Sequence, residues 1–219
     1  MGQISHIVWD WNGTLFADNR ALIDATLEAF SDAGFTTVSR ELYQQCHSKA
    51  VNVFFERLAG RTLQAEECQR LLESFRSRYE EYSIRTELTP DAHMALTRCR
   101  ETGLRQSLLS LFNHQKLVLL TEEKGIAGFF DRIDGARESA PDRKAPHLAR
   151  HLRTLGVEPE RSLLIGDSVD DALAAEECGA LCVLYYAGDF ALHTRDSVEK
   201  AARVVTSLNE AVDFAITAE

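Results

Sequence analysis

Four groups of residues in this 219-residue chain carry chemistry by their type and spacing. Asp10 and Asn12 follow a short apolar run at 4–9, and Ser110 closes another at 106–110. Asp167, Asp170 and Asp171 follow a third, at 162–165, after Gly166, and Lys144 lies in the loop before the helical stretch leading to it. Carboxylates gathered at one point repel each other unless a hard divalent cation binds them, and oxygen donors of this kind suit Mg2+. A hydroxyl and a lysine beside them are what a small anionic ligand needs. Each feature alone has a plainer reading. Asp10 before Asn12-Gly13 is a turn residue, Ser110 a strand-end hydroxyl, Lys144 a solvated lysine, and the acids at 167, 170 and 171 a helix cap. Three acids after one strand exceed what a cap requires, and the four groups together favour a site.

The elements that must position these residues can be read from periodicity. The run 4–9 is β-branched and stops at Asp10, and Asn12-Gly13 marks a turn, so Asp10 is expected at the carboxyl tip of a strand. From residue 17 to about 85 the spacing is helical: Leu22, Ala25 and Phe30, then Val51, Phe54, Phe55 and Leu58, then Leu71, Leu72, Phe75 and Tyr79. After Leu88-Thr89-Pro90, helices at 91–102, 113–125, 146–155 and 169–178 alternate with strands at 106–110, 130–133, 162–165 and 181–184. A last strand near Val204 and a helix at 208–216 follow. This predicts an α/β fold: a Rossmann-like parallel sheet with helices on both faces, formed by 1–16 and 87–219, and an inserted all-helical domain at 17–86. Ligands of such sheets bind beyond the carboxyl ends of the strands, where the four groups lie.

Composition narrows the partners. With 45% hydrophobic residues the chain can bury a real interior, and a net charge of −10 gives nucleic acid and anionic membranes no diffuse attraction. Cys46, Cys68, Cys99, Cys178 and Cys182 are odd in number and scattered, without C-x-x-C spacing, which predicts reduced thiols in a cytoplasmic protein. No run approaches a membrane span, the first residues are too short an apolar run for a signal peptide, and His6 stands where a myristoylation motif at Gly2 needs Ser or Thr. Oligomeric state leaves no trace. Among the histidines, His6, His114, His147 and His151 show no convincing metal-ligand spacing; His147 and His151 are i, i+4 but lack a third ligand.

In order along the chain, Asp10-Trp11-Asn12-Gly13-Thr14-Leu15, Ser110, Arg143-Lys144-Ala145-Pro146 and Gly166-Asp167-Ser168-Val169-Asp170-Asp171 resemble the four motifs of the haloacid dehalogenase-like hydrolase superfamily, in particular its phosphoglycolate-phosphatase-like branch. The resemblance implies a Mg2+-dependent phosphatase of a small phosphorylated metabolite. Asp10 would be the nucleophile that forms an aspartyl-phosphate. Asp10, the backbone carbonyl of Asn12, and Asp167 would ligate Mg2+, with Asp171, aided by Asp170, in its outer surroundings. Ser110 and Lys144, with backbone N–H groups of the loop that holds Gly13 and Thr14, would hold the phosphoryl oxygens, and Leu111 would line the substrate. The helical block would be a cap that selects the substrate, with His47 and Lys49 as its candidates.

Three positions depart from the family pattern: Leu111 and Ala145 replace the usual Asn and Pro, and Asn12 stands where the family's phosphatases have a second aspartate. That aspartate protonates the leaving alkoxide and then deprotonates water, and an amide does neither. General acid–base help is worth roughly 10²- to 10⁴-fold in rate. The expectation is therefore a phosphatase with a good leaving group or another proton source. The alternatives are a phosphotransferase or phosphomutase, a non-catalytic phosphate-binding protein, or a metal-independent dehalogenase.

Overall fold

The structure, a computed structural model, describes residues 3–48, 50–137, 143–193 and 201–218. The chain forms two compact units: one of Met1–Ala17, Glu87–Gly188 and Arg195–Glu219, the other of Asp18–Thr86 and Asp189–Thr194. Strand β1 (His6–Trp9), wholly buried, opens the first unit.

The second unit holds helices α1 (Asn19–Asp32), α2 (Arg40–Cys46), α3 (Val51–Ala59) and α4 (Ala65–Ser83). Their apolar faces meet in one cluster built on Ile23, Phe30, Tyr43, Phe54, Phe55, Leu58 and Leu71. The helix entry at α2 is capped by Ser39, whose hydroxyl accepts from the Leu42 N–H. Helices α1 and α4 are further joined by Arg78 to Glu28 and Asp32 and by the Tyr79 hydroxyl donating to Asp18 at 2.6 Å. Residues 189–193, which the sequence reading left with the sheet, lie along α2. Arg40 covers the Phe190 ring at 4.6 Å, Gln44 Nε2 donates to the Ala191 carbonyl at 2.8 Å, and the His47 and His193 rings meet edge-on at 4.6 Å. One face of α2 thus matches this strap residue by residue.

The first unit continues with α5 (Ala92–Glu101), β2 (Arg105–Asn113), α6 (His114–Glu123), β3 (Ile133–Ala136), α7 (Lys144–Leu155), β4 (Ser162–Gly166), α8 (Val169–Cys178), β5 (Leu181–Tyr185), β6 (Arg203–Val205) and α9 (Leu208–Thr217). The strands form one parallel sheet in the order β3-β2-β1-β4-β5-β6. Alternate residues face opposite layers. Ile7, Trp9, Leu108, Leu163 and Ile165 pack with α5, α6 and α9, whereas Val8, Leu109 and Leu164 pack with α7 and α8. Both faces are covered, so the central strands read as continuous apolar runs rather than alternating ones. The strand order reverses at β1, and the crevice beyond its carboxyl end is where such sheets hold ligands.

Three local expectations need correction. The strand expected at 130–133 begins later: Ala127–Phe129 form a 3-10 turn, and β3 is Ile133–Ala136. Phe130, expected to open the strand, packs partly buried against the core, while the Asp131 N–H already bonds the Gln106 carbonyl at 2.8 Å. Strand β2 runs three residues past Ser110, and Asn113 ends it by accepting the Lys116 N–H at the start of α6. Lys144 is not in a loop but is the first residue of α7, with Pro146 tolerated in the first turn, where its missing N–H would have no intrahelical partner.

One polar chain crosses the otherwise apolar α7 face. His6 Nε2 lies 2.7 Å from Ser107 Oγ, which lies 2.8 Å from His151 Nε2; His151 Nδ1 lies 2.8 Å from Asp134 Oδ2. Asp134 also accepts from Arg132 Nε. The assignment that satisfies most groups has His151 donating from Nδ1 to Asp134, Ser107 donating to His151, and His6 donating to Ser107. It leaves only His6 Nδ1 without a partner among the described residues. Burial lowers the His6 pKa to about 4, so its ring stays neutral. Burial alone would raise the Asp134 carboxyl, but hydrogen bonds from His151 and Arg132 hold it well below the usual range. Although Ser107, His151 and Asp134 are the residue types of a hydrolytic triad, Ser107 is fully buried in mid-strand, and the chain ties three strands to α7 instead.

Candidate active site

The register of the sheet assembles the site. Trp9 pairs with Leu108 on one side and Ile165 on the other, which sets Asp10 level with Leu109 and Gly166 and puts Ser110 and Asp167 one residue further along. The Asp10 N–H extends the ladder by donating to the Ile165 carbonyl at 2.8 Å. After Asp10 the chain turns back tightly: the Phe16 N–H donates to the Trp11 carbonyl and the Gly13 N–H to the Phe16 carbonyl, both at 2.9 Å. Gly13 has φ 71°, a conformation open to glycine, so the Asn12-Gly13 turn signal is fulfilled. Trp11 stacks on Phe16 at 4.9 Å and seats the loop in the core. Thr14 is buried, and its carbonyl accepts from the Thr89 hydroxyl.

Lys144 reaches the site from the first turn of α7. Its ammonium is 2.6 Å from Asp10 Oδ1 and is also paired with Asp171 Oδ1. Burial alone would lower the lysine pKa; the charges of Asp10 and Asp171 outweigh it and hold Lys144 protonated, well above its usual range. The other Asp171 oxygen accepts from the Ser168 N–H at 3.0 Å and the Ser168 hydroxyl at 2.6 Å, a capping arrangement at the start of α8. Helix capping and a place in the site are therefore the work of the same carboxylate. Breaking a buried pair of this kind costs about 3–5 kcal/mol, because the remaining charge is left uncompensated.

Carboxylate oxygens of Asp10, Asp167 and Asp171 lie within 4.8 Å of one another, the only such group of potential metal ligands among the described residues. Three hard oxygen donors converging this closely fit a divalent cation. Asp170, half-buried, is not part of that group. Ser110 is buried at the same sheet edge, and its hydroxyl accepts the Phe112 N–H at 3.1 Å; Leu111 follows it half-buried, with its side chain on the opposite face. His47 lies in the helical unit, ringed by Tyr43, Phe54 and His193, and Lys49 lies outside the described residues. Two features had no sequence signal: the Asp134–His151–Ser107–His6 chain, whose bonded neighbours are 17 to 101 residues apart, and the strap at 189–193. His147 and His151, i and i+4 on α7, have separate partners. His147 faces Arg150, while His151 faces the sheet.

All five cysteines are free of disulfides, and among the described residues no helix is long and apolar enough to cross a membrane. Against known proteins, the chain is 23% identical over 217 residues to a phosphoglycolate phosphatase of Neisseria gonorrhoeae, a match covering 95% of this chain and 92% of that one. It is 26% identical over 191 residues to a phosphoglycolate phosphatase of Yersinia pseudotuberculosis, covering 82% and 80%. In fold it is similar to a haloacid dehalogenase-like family hydrolase of Streptococcus pneumoniae, with a TM-score of 0.80 at 19% identity over 98% of this chain and 99% of the other. The family model described as haloacid dehalogenase-like hydrolase matches residues 4–179, and the chain belongs to that family.

Proposed function

We propose that this chain is a Mg2+-dependent phosphatase of small phosphomonoesters that works through an aspartyl-phosphate on Asp10. The observation that carries the reading is the convergence of Asp10, Asp167 and Asp171 with a buried, charged Lys144 at the switch point of the sheet. The relatives from Neisseria and Yersinia, both phosphoglycolate phosphatases, point the same way.

In this reading Asp10 Oδ attacks phosphorus, the P–O bond to the leaving group breaks, and water then cleaves the acyl phosphate, releasing phosphate and restoring Asp10. Lys144, Ser110 and the N–H groups of the Asp10–Thr14 turn hold the phosphoryl oxygens as charge spreads over them. Asp10, Asp167 and the Asn12 carbonyl would hold Mg2+, with Asp171 steering it; bound there, the ion would neutralise charge on the nucleophile and the phosphate. The Asn12 side chain transfers no proton, so the leaving group must depart as a stable anion or take its proton from solvent or from the helical unit, where His47 and Lys49 are the candidates. The helical unit serves as the substrate-selecting cap, and the protein works in the cytoplasm.

Asn12 also favours a second reading, in which slow hydrolysis of the acyl phosphate lets an acceptor alcohol take the phosphoryl group. The test is phosphate release from an aryl phosphate and a panel of phosphorylated metabolites, with Mg2+ and with EDTA, by wild type, Asp10→Asn and Asn12→Asp. Wild type should turn over only with Mg2+, Asp10→Asn should be inactive, and Asn12→Asp should be faster. A wild type no faster than Asp10→Asn on every ester sinks the reading, and halide release from a haloacid without Mg2+ would replace it with dehalogenation.

A further inference from the structure

At the same carboxyl edge of the sheet, two strands from β1, the chain places two hydrogen-bond donors face to face. His114 follows the last residue of β2 and Arg137 the last residue of β3, and these strand ends are in register, Asn113 opposite Ala136. The His114 ring accepts the Gly135 N–H at Nδ1, 3.1 Å away. A neutral imidazole has one donor and one acceptor, so accepting at Nδ1 puts the proton on Nε2. Nε2 lies 3.5 Å from Arg137 Nη2, which is itself only ever a donor. Two donors at that distance do not bond each other, and among the described residues neither has an acceptor. Protonating the ring would worsen both contacts rather than resolve them.

The approach that fixes the tautomer is built into the backbone. A Cβ on Gly135 would stand 2.5 Å from His114 Cα and 2.7 Å from the Phe112 carbonyl oxygen, so only glycine lets β3 come this near the start of α6. His114 is half-buried and its ring is held, while Arg137 is exposed and adjustable. A fixed N–H beside a mobile guanidinium is an arrangement that an oxyanion completes, by accepting from both.

We propose that His114 and Arg137 form an oxyanion subsite that takes a second anionic group of the substrate. The proposal rests on the phosphatase reading for the first group, held at Asp10, Ser110 and Lys144. Four residues of strand separate Ser110 from His114, which at the rise of a β-strand is at most about 13 Å. A ligand that carries two anionic groups, such as a sugar bisphosphate, can bridge two sites at such a separation.

Two measurements test this. In nitrogen-15 NMR of the full chain, His114 should carry its proton on Nε2, and inorganic phosphate should shift its resonances. Arg137→Gln, a change at an exposed side chain, should weaken that response about tenfold, the loss expected for one charge-assisted hydrogen bond. In steady state, the ratio of kcat/KM for a sugar bisphosphate to that for an aryl phosphate should fall about tenfold in Arg137→Gln and in His114→Gln. A His114 proton on Nδ1, or a phosphate response indifferent to Arg137, overturns the subsite. A normal phosphate response with an unchanged ratio overturns its role in substrate binding and leaves a site for free anions. If wild type hydrolyses no ester at all, the phosphatase reading fails, while the NMR titration still decides whether the subsite exists.

Discussion

Gly166 faces the side chain of Asp171 so closely that a methyl group on it would stand 2.7 Å from Asp171 Cβ and nearer still to the carboxylate. Asp171 has no room to retreat, since one oxygen is paired with Lys144 and the other with Ser168. Gly166→Ala should therefore destabilise the protein by about 1–3 kcal/mol, the usual cost of overpacking. It should also lower turnover, because the displaced carboxylate no longer holds Lys144. Urea denaturation and steady-state rates on the same preparation check both; an unchanged midpoint would mean that Asp171 is not fixed where the structure has it.

Acid should weaken the fold through His6. Its pKa is lowered to about 4 in the folded chain, first by burial and then by Arg105 and His151, against 6.5 for the unfolded group. As pH falls from 6.5 to 4 the unfolded state gains a proton that the folded state refuses, so stability is lost across that window, on the order of 3 kcal/mol in full. Urea midpoints measured between pH 7 and pH 4.5 should fall. The fall should be smaller in His6→Gln, and an equal slope in the variant would assign it to other groups.

In the proposed phosphatase reaction, an amide at position 12 leaves the charge that develops on the leaving oxygen unrelieved. Wild-type kcat/KM should drop steeply as the leaving group becomes more basic along a series of aryl and alkyl phosphates. Asn12→Asp should flatten that dependence and raise the rate on alkyl esters by roughly 10²- to 10⁴-fold. Equal slopes for the two proteins would show that the proton already comes from elsewhere in the wild type.

Asn-Gly sequences lose ammonia when the glycine nitrogen attacks the asparagine side chain. In this fold the Gly13 N–H is bound to the Phe16 carbonyl at 2.9 Å and the turn is fixed. Asn12 should therefore persist in native protein incubated for weeks and convert to aspartate or isoaspartate once the chain is held in urea. Peptide mass spectrometry at equal times distinguishes the two; rapid conversion in the native sample would mean that the turn opens.

Mg2+ should stabilise the folded chain independently of any turnover. At a hundred times its dissociation constant, a ligand specific to the native state adds about 2.7 kcal/mol. The Tm should rise with Mg2+ and return with EDTA, and Asp167→Asn should shrink the shift. A shift of undiminished size in that variant would put the ion elsewhere.

The central sheet could be read because short apolar runs with a fixed end leave a local mark, and helices α7, α8 and α9 could be placed because their apolar spacing repeats every turn. The Asp10 loop and the acids after β4 were legible for the same local reason. What could not be read depends on partners far away in sequence. Ser107 and His151 look unremarkable until strand and helix bring them together, and Phe190 looks like part of a loop until Arg40 covers its ring. Lys144 reads as a loop residue in the sequence because Pro146 marks the start of a helix there, although proline is tolerated further into a first turn.

The pairing of β1 has a temporal side. Val8 lies between Ser107 and Leu164, so the strand that presents Asp10 leaves the ribosome long before either neighbour. At the usual pace of synthesis the wait for Leu164 is roughly 8 to 30 s. During that interval an apolar strand, with at least its β4 edge unpaired, is followed by helices able to fold on local contacts alone. A nascent chain would thus shelter its helical unit early and assemble its carboxylates almost last, which makes β1 the segment that a chaperone has most reason to hold.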